Sequence, residues 1–196
     1  MLTNKQRVAL CNSLIETMLP DGVALDYGFS TNPEERIWLS HTQQTPRGKY
    51  ETVLYFSVED YAYKQNISDP HHFDPQTNVE ILEQMRQIIL TIDCYSKQIP
   101  IGAAKDVLRI IGAGLISETF EEWTRDNGYN VALENVEYAP NLTPLLEGHE
   151  WNERRQMKVY LNYRDNVALN RVYMTRVPTS LEDTPNSVDT KVTLKR

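Results

Sequence analysis

Two adjacent histidines and a nearby carboxylate, His71, His72 and Asp74, form the cluster in this chain that most resembles a reacting centre. Imidazole and carboxylate are donors that zinc and iron accept, so the set could serve a small metal-dependent hydrolase. Its spacing argues against that use. Neighbouring residues of a strand or turn point apart, no Cys, His or Glu nearby repeats the pattern, and His41 and His149 stand alone. Flanked by Pro70 and Pro75, the cluster reads as part of a solvated loop over residues 61–76, a length that tends to carry an interface.

Other candidate chemistry is thinner. Glu118, Glu121, Glu122 and Asp126 surround Trp123 at helical spacing. Paired carboxylates act as acid and base only where burial separates them, and a short exposed helix offers a solvated face instead. Gly112-Ala113-Gly114 lacks the third glycine of a dinucleotide loop and follows a helix rather than a strand. No Gly-x-Ser-x-Gly turn or Walker-type run occurs. Arg154 and Arg155, with Lys158 beyond, make the one notable basic cluster, and strand alternation lets at most one of the two arginines join Lys158 on a face. Such arginines suit bidentate pairing across a protein interface better than a grip on DNA. No catalytic group, cofactor or metal site is expected.

The elements that would position these residues follow from periodicity. Thr3 and Gln6 form a capping-box pair ahead of an apolar helical face of Val8, Cys11, Leu14, Ile15 and Met18. Pro20-Asp21-Gly22 then turns the chain, and Val23, Leu25, Tyr27 and Phe29 alternate as in a strand. A short strand is expected over 36–41, a turn over 45–48, and a half-buried strand carrying Tyr50, Thr52, Leu54, Phe56 and Val58 on one face. Residues 79–95 read as one long strand with a bulge in preference to a helix entering a strand. From residue 86 onward Ile88, Leu90, Ile92 and Cys94 share a face. Helices are expected over 101–112 and 117–127, the first ending in a break at Gly112–Gly114. Tyr129, Val131 and Leu133 change parity to Val136 and Tyr138, which calls for a bulge near Glu134 and Asn135. The last firm strand places Arg155, Met157, Val159, Leu161 and Tyr163 on one face. A weaker edge strand is expected over 171–177, and 188–194 alternates weakly enough to pair with a neighbour's sheet edge.

The expected class is α+β, a mostly antiparallel sheet covered by two to three helices, with a long loop and a flexible C-terminal tail. Residues 1–177 would form one domain and 178–196 a polar arm. A net charge of −7 and a pI near 5.1 exclude a phosphate-gripping protein, whose affinity needs a dense basic surface. An acidic surface does suit a conduit that DNA must slide through. Cys11 and Cys94 sit within apolar periodic segments, as buried small hydrophobes of a reducing cytoplasm do. No signal-length or membrane-spanning apolar run is present.

The connection from Tyr138 to Trp151 carries Leu142, Leu145, Leu146 and Trp151 between Pro140, Pro144 and Gly148. Its apolar residues either cover the core or meet another subunit, since Trp and Tyr are enriched in interface hot spots. A strand, a helix pair, a strand, this Pro-Leu linker and then Trp151-Asn152-Glu153-Arg154-Arg155-Gln156-Met157 entering a last strand resemble the neck and tail-terminator proteins of tailed bacteriophages. The likeness covers about half of the chain, over roughly residues 79–167. It implies a structural virion protein, made in the host bacterial cytoplasm, that closes into a ring, usually a hexamer. That ring would cap the tail tube and join it to the head-side connector, with a sheath as a further partner, DNA passing through unbound, and no cofactor or membrane. Leu142, Leu145, Leu146, Trp151, Arg154 and Arg155 are the interface residues expected on this basis. A head-tail adaptor or tail-completion protein of another layer is the nearest alternative.

Overall fold

Thr3 opens the first helix as its sequence requires. Its side chain accepts from the Gln6 amide at 3.3 Å while Gln6 Oε1 accepts from the Thr3 amide at 2.8 Å. This computed structural model describes residues 2–40, 50–62, 71–74, 79–99, 101–142 and 151–170. The helix, α1 (Asn4–Met18), buries Leu10, Cys11, Leu14, Ile15 and Met18.

The strand expected from Val23 to Phe29 is instead a short helix, α2 (Asp21–Asp26). Pro20 presets a helix-compatible φ at the start and Asp21 complements the amide dipoles of the first turn. Four alternating residues with no sheet to join do not outweigh that local signal; Leu25 is left exposed. Gly28 (φ +72°) then reverses the chain, and its carbonyl accepts from the Glu51 and Thr52 amides.

Strand β1 (Ile37–Leu39) pairs parallel to β2 (Thr52–Ala62), and β2 pairs antiparallel to β4 (Val79–Ser96). Part of the region read as a loop is strand: Tyr61 and Ala62 extend β2, and His71–Asp74 form β3 on β4. Polar composition hid this pairing, because the long edge of β4 satisfies backbone groups whatever the side chains. Strand β4 is a single strand, as preferred, but its ladder to β6 (Glu153–Asn170) runs unbroken from Val79↔Asn170 to Ser96↔Glu153, without the anticipated bulge. The bulge in β5 (Val131–Tyr138) does occur, between Leu133 and Asn135.

The order β1-β2-β4-β6-β5, with β3 attached to β4, makes a sheet that is antiparallel apart from β1. Helices α1, α3 (Ala103–Leu115) and α4 (Glu118–Asp126) pack with the Ile88, Leu90, Ile92 and Met157, Val159, Leu161 face of the sheet to form the core. The α+β class stands. Helix α3 runs straight through Gly112 and Gly114 rather than breaking there. A Cβ on Gly114 would lie 2.7 Å from Met18 Sδ, so the glycine permits the close crossing of α3 and α1. Cys11 and Cys94 are buried free thiols. Among the described residues no helix is long and apolar enough to cross a membrane. The turn at 45–48, Leu145, Leu146, the strand expected at 171–177 and the arm at 178–196 lie outside the described residues.

Candidate interaction surfaces

The Trp151–Met157 motif divides its residues between the two faces of the sheet. Met157 is buried in the core. Glu153, only 1% exposed, closes the start of α3: Oε2 accepts from the Gly102 amide at 2.9 Å and the Ala104 amide at 3.0 Å, and Oε1 accepts from Arg155 Nε at 3.0 Å. Gly102 gives α3 no side-chain cap of its own, so a carboxylate from β6 supplies it. This role escaped sequence reasoning because donor and acceptor lie far apart in the chain.

On the opposite face Arg154 donates to Asp93 Oδ1 from Nε (3.1 Å) and Nη2 (3.0 Å), and Gln156 donates to both oxygens of the same carboxylate at 3.2 Å. The Arg154 guanidinium stacks over Tyr95 (5.2 Å), Tyr95 meets Trp151 (5.9 Å), and Lys97 Nζ sits over the Trp151 ring (4.9 Å). Leu142 is half-buried. Of the expected interface residues, Trp151 and Arg154 therefore belong to one aromatic and charged cluster, while Arg155 lies with the helices.

A second ionic cluster was not anticipated. Asp60 on β2 accepts from Arg86 Nη2 (2.6 Å), from the Tyr163 hydroxyl (3.1 Å) and from Arg7 of α1. It ties the first turns of α1 to three strands. Removing one member of a largely desolvated ion cluster strands its partners. Asp60→Ala is expected to lower unfolding free energy by about 2–3 kcal/mol, somewhat below the fully buried case because both arginines keep some solvent contact. Urea denaturation reads this directly; an unchanged midpoint would show that water replaces the carboxylate at no cost.

Beyond this cluster the sheet narrows. Strand β2 stops pairing with β4 at Arg86, and β5 stops pairing with β6 at Tyr163. β4 and β6 continue together to Val79 and Asn170, so a ribbon of roughly 23 Å, at ~3.3 Å per residue, runs past the ends of β2 and β5. β3 flanks one side of it; among the described residues, β6 from Arg164 onward has no strand on the other. His71 and His72 lie on β3 in register with Leu82 and Ile81, and Asp74 with Val79. Their side chains lie outside the described residues. Among the described residues no group of three or more His, Cys, Asp or Glu is arranged around a common point.

At the other end, α3 leaves part of β5 and β6 uncovered. The gap is a cavity of about 520 Å³ lined by Lys105, Arg109, Ile116, Tyr138, Arg155 and Gln156 among others. The Tyr138 hydroxyl occupies the space that a side chain at Gly112 would fill. The acidic residues of α4 are exposed around buried Phe120 and Trp123, as a solvated face requires.

No family model matches the chain, and no curated protein matches it. Among solved structures it is similar to the sheath/tube terminator of an extracellular contractile injection system, the PVC, in its extended state. The identity is 13% and the TM-score 0.43, over 98% of this chain and 67% of that one.

Proposed function

We propose that the chain is a non-catalytic structural subunit of a tailed bacteriophage virion. Copies of it close into a ring, a hexamer, that caps the tail tube and joins it to the head-side connector. A sheath, where present, is a further neighbour. The observation that carries this reading is the Trp151–Met157 segment, which resembles the tail-terminator motif and whose residues here hold the architecture together. Glu153 caps α3, Arg154 binds Asp93, and Met157 fills the core.

The sheet supports the same reading. Among the described residues, the ribbon past β2 and β5 leaves one side of β6 open and β5 has a bare edge, and these offer two different surfaces to neighbours. A head-to-tail ring needs two such different surfaces on each copy. The net charge of −7 lets DNA pass a ring of such copies without capture.

Two measurements test the proposal. Mass photometry of the purified chain, alone and with tail tubes, should show a closed oligomer. Particles lacking the protein should carry overlong tails or tails without heads. A chain that stays monomeric on tubes and binds a stoichiometric metal ion would overturn it.

A further inference from the structure

The cavity beside α3 is the most unusual charged surface among the described residues. In a chain of net charge −7, three cations line one gap, and among the described residues no carboxylate lines it with them. Lys105 and Arg109 are exposed on α3 one turn apart, and no ion pair engages either among the described residues. Arg155 keeps one face on Glu153. The floor is apolar: Leu108, Gly112 and Ala113 from α3 and Ile116 just past its end, with the Tyr138 ring across from them. A site of this kind fits an extended peptide with an aliphatic side chain next to carboxylates.

We infer that this groove receives Leu181-Glu182-Asp183 from the C-terminal segment of a second copy of the chain, a proposal that rests on the ring reading above. Three observations select this occupant. First, these residues join an apolar side chain to two adjacent acids within the segment after Asn170. Second, the segment's end, with Lys191, Lys195 and Arg196, carries the opposite sign, and the β5 edge next to the groove carries Glu134 and Glu137. The charges therefore match in sequence along both partners.

Third, reach excludes the chain's own tail. Asn170 ends β6 at the far tip of the ribbon, while Gln156 lines the groove near the strand's start. That separation is about 46 Å along the strand at ~3.3 Å per residue. The eleven residues from Asn170 to Leu181 span at most ~40 Å fully extended, before allowing for the reversal of direction. A neighbouring copy in a ring meets no such limit.

The groove can be tested apart from the ring. A synthetic peptide of residues 178–196 is titrated into the full-length chain, read by fluorescence anisotropy. Saturable binding is expected. It should weaken at least ~10-fold in the Lys105→Glu/Arg109→Glu chain or with a Glu182→Lys/Asp183→Lys peptide, and should recover when both reversals are combined. It should also fall as salt rises. Both charge changes lie on an exposed helix face, and an unchanged circular dichroism melt confirms that the fold is kept. In parallel, an Ala113→Cys chain mixed with a Leu181→Cys chain should give a disulfide-linked pair on oxidation, since the native thiols are buried.

Absence of peptide binding, or binding indifferent to the reversals, overturns the groove assignment whatever the oligomeric state. A cross-link formed within a single Ala113→Cys/Leu181→Cys chain in dilute monomer overturns the second-copy assignment. A closed oligomer without peptide binding leaves the ring and removes this contact from it; peptide binding by a chain that never assembles does the reverse.

Discussion

Glu153→Ala is expected to lower the unfolding free energy by about 3–4 kcal/mol, the largest single-residue loss in this fold outside the apolar core. One carboxylate satisfies two amides at the start of α3 and pairs with Arg155, at 1% exposure. Alanine leaves the amides without acceptors, the guanidinium without its counter-charge and a small void. For a chain of this size each kcal/mol moves the midpoint by roughly 2–4 °C, so a fall of about 6–16 °C should appear in a thermal melt. Glu153→Gln should lose less than half as much, because the amide oxygen still accepts from Gly102 and Ala104. Hydrogen exchange at those two amides should quicken in both variants. A melt within about 2 °C of the parent would show that the carboxylate has no capping role.

The second large effect is alkaline. Burial pushes the Cys11 thiol up to about 12, and Cys94 moves well above its ordinary value, first by burial and then by the charges of Glu153 and Asp93. An unfolded chain releases these protons near pH 9, whereas the folded chain keeps them. Above pH 9 the unfolded state thus binds fewer protons, and stability falls as pH rises through the window from 9 to 12. Each unit costs about 1.4 kcal/mol per thiol, so Cys11 alone removes roughly 3 kcal/mol by pH 11, and Cys94 adds in the same direction. Burial raises Tyr95 and Tyr163 as well, steepening the loss above pH 10. Urea titrations of the parent and a Cys11→Ala/Cys94→Ala chain at pH 8 and pH 11 isolate the thiol share. The double variant should lose at least ~3 kcal/mol less between the two values. Equal losses would mean that the thiols are not protected, and iodoacetamide would then label them in the native protein.

What the sequence disclosed depended on whether the cause was local. The capping box of α1 was legible because Thr3 and Gln6 lie three residues apart. The bulge in β5 was legible because a change of parity between Leu133 and Val136 has few other causes. Strand β6 followed from strict alternation, though its extension to Asn170 did not, since the alternation of apolar and polar residues weakens past Tyr163. α2 was misread because four alternating apolar residues imitate a strand when no sheet partner is in view. Strand β3 was missed for the converse reason: a polar stretch becomes a strand when a long neighbouring edge accepts it.

The candidate surfaces divide the same way. Arg154 and Arg155 were correctly assigned to opposite faces, and their partners Asp93 and Glu153 were out of reach of any spacing rule. Lys105 and Arg109 carry no signal in the sequence that marks them out; only the fold, which places Tyr138 and Arg155 opposite them, makes them part of one groove. Gly112 and Gly114, which first invited comparison with a nucleotide loop, prove to be places where other parts of the molecule come close to a helix.

The pairing of β4 with β6 carries a kinetic consequence. These strands form the middle of the sheet, yet two helices and β5 separate them in the chain. During synthesis β4 emerges well before β6 and stays unpaired on that side until β6 has been made. Closing such a distant contact is slow, and the waiting edge is sticky in the meantime. Maturation of this subunit is therefore governed by when β6 arrives, and a ribosome that pauses before residue 153 holds a chain primed to misassociate.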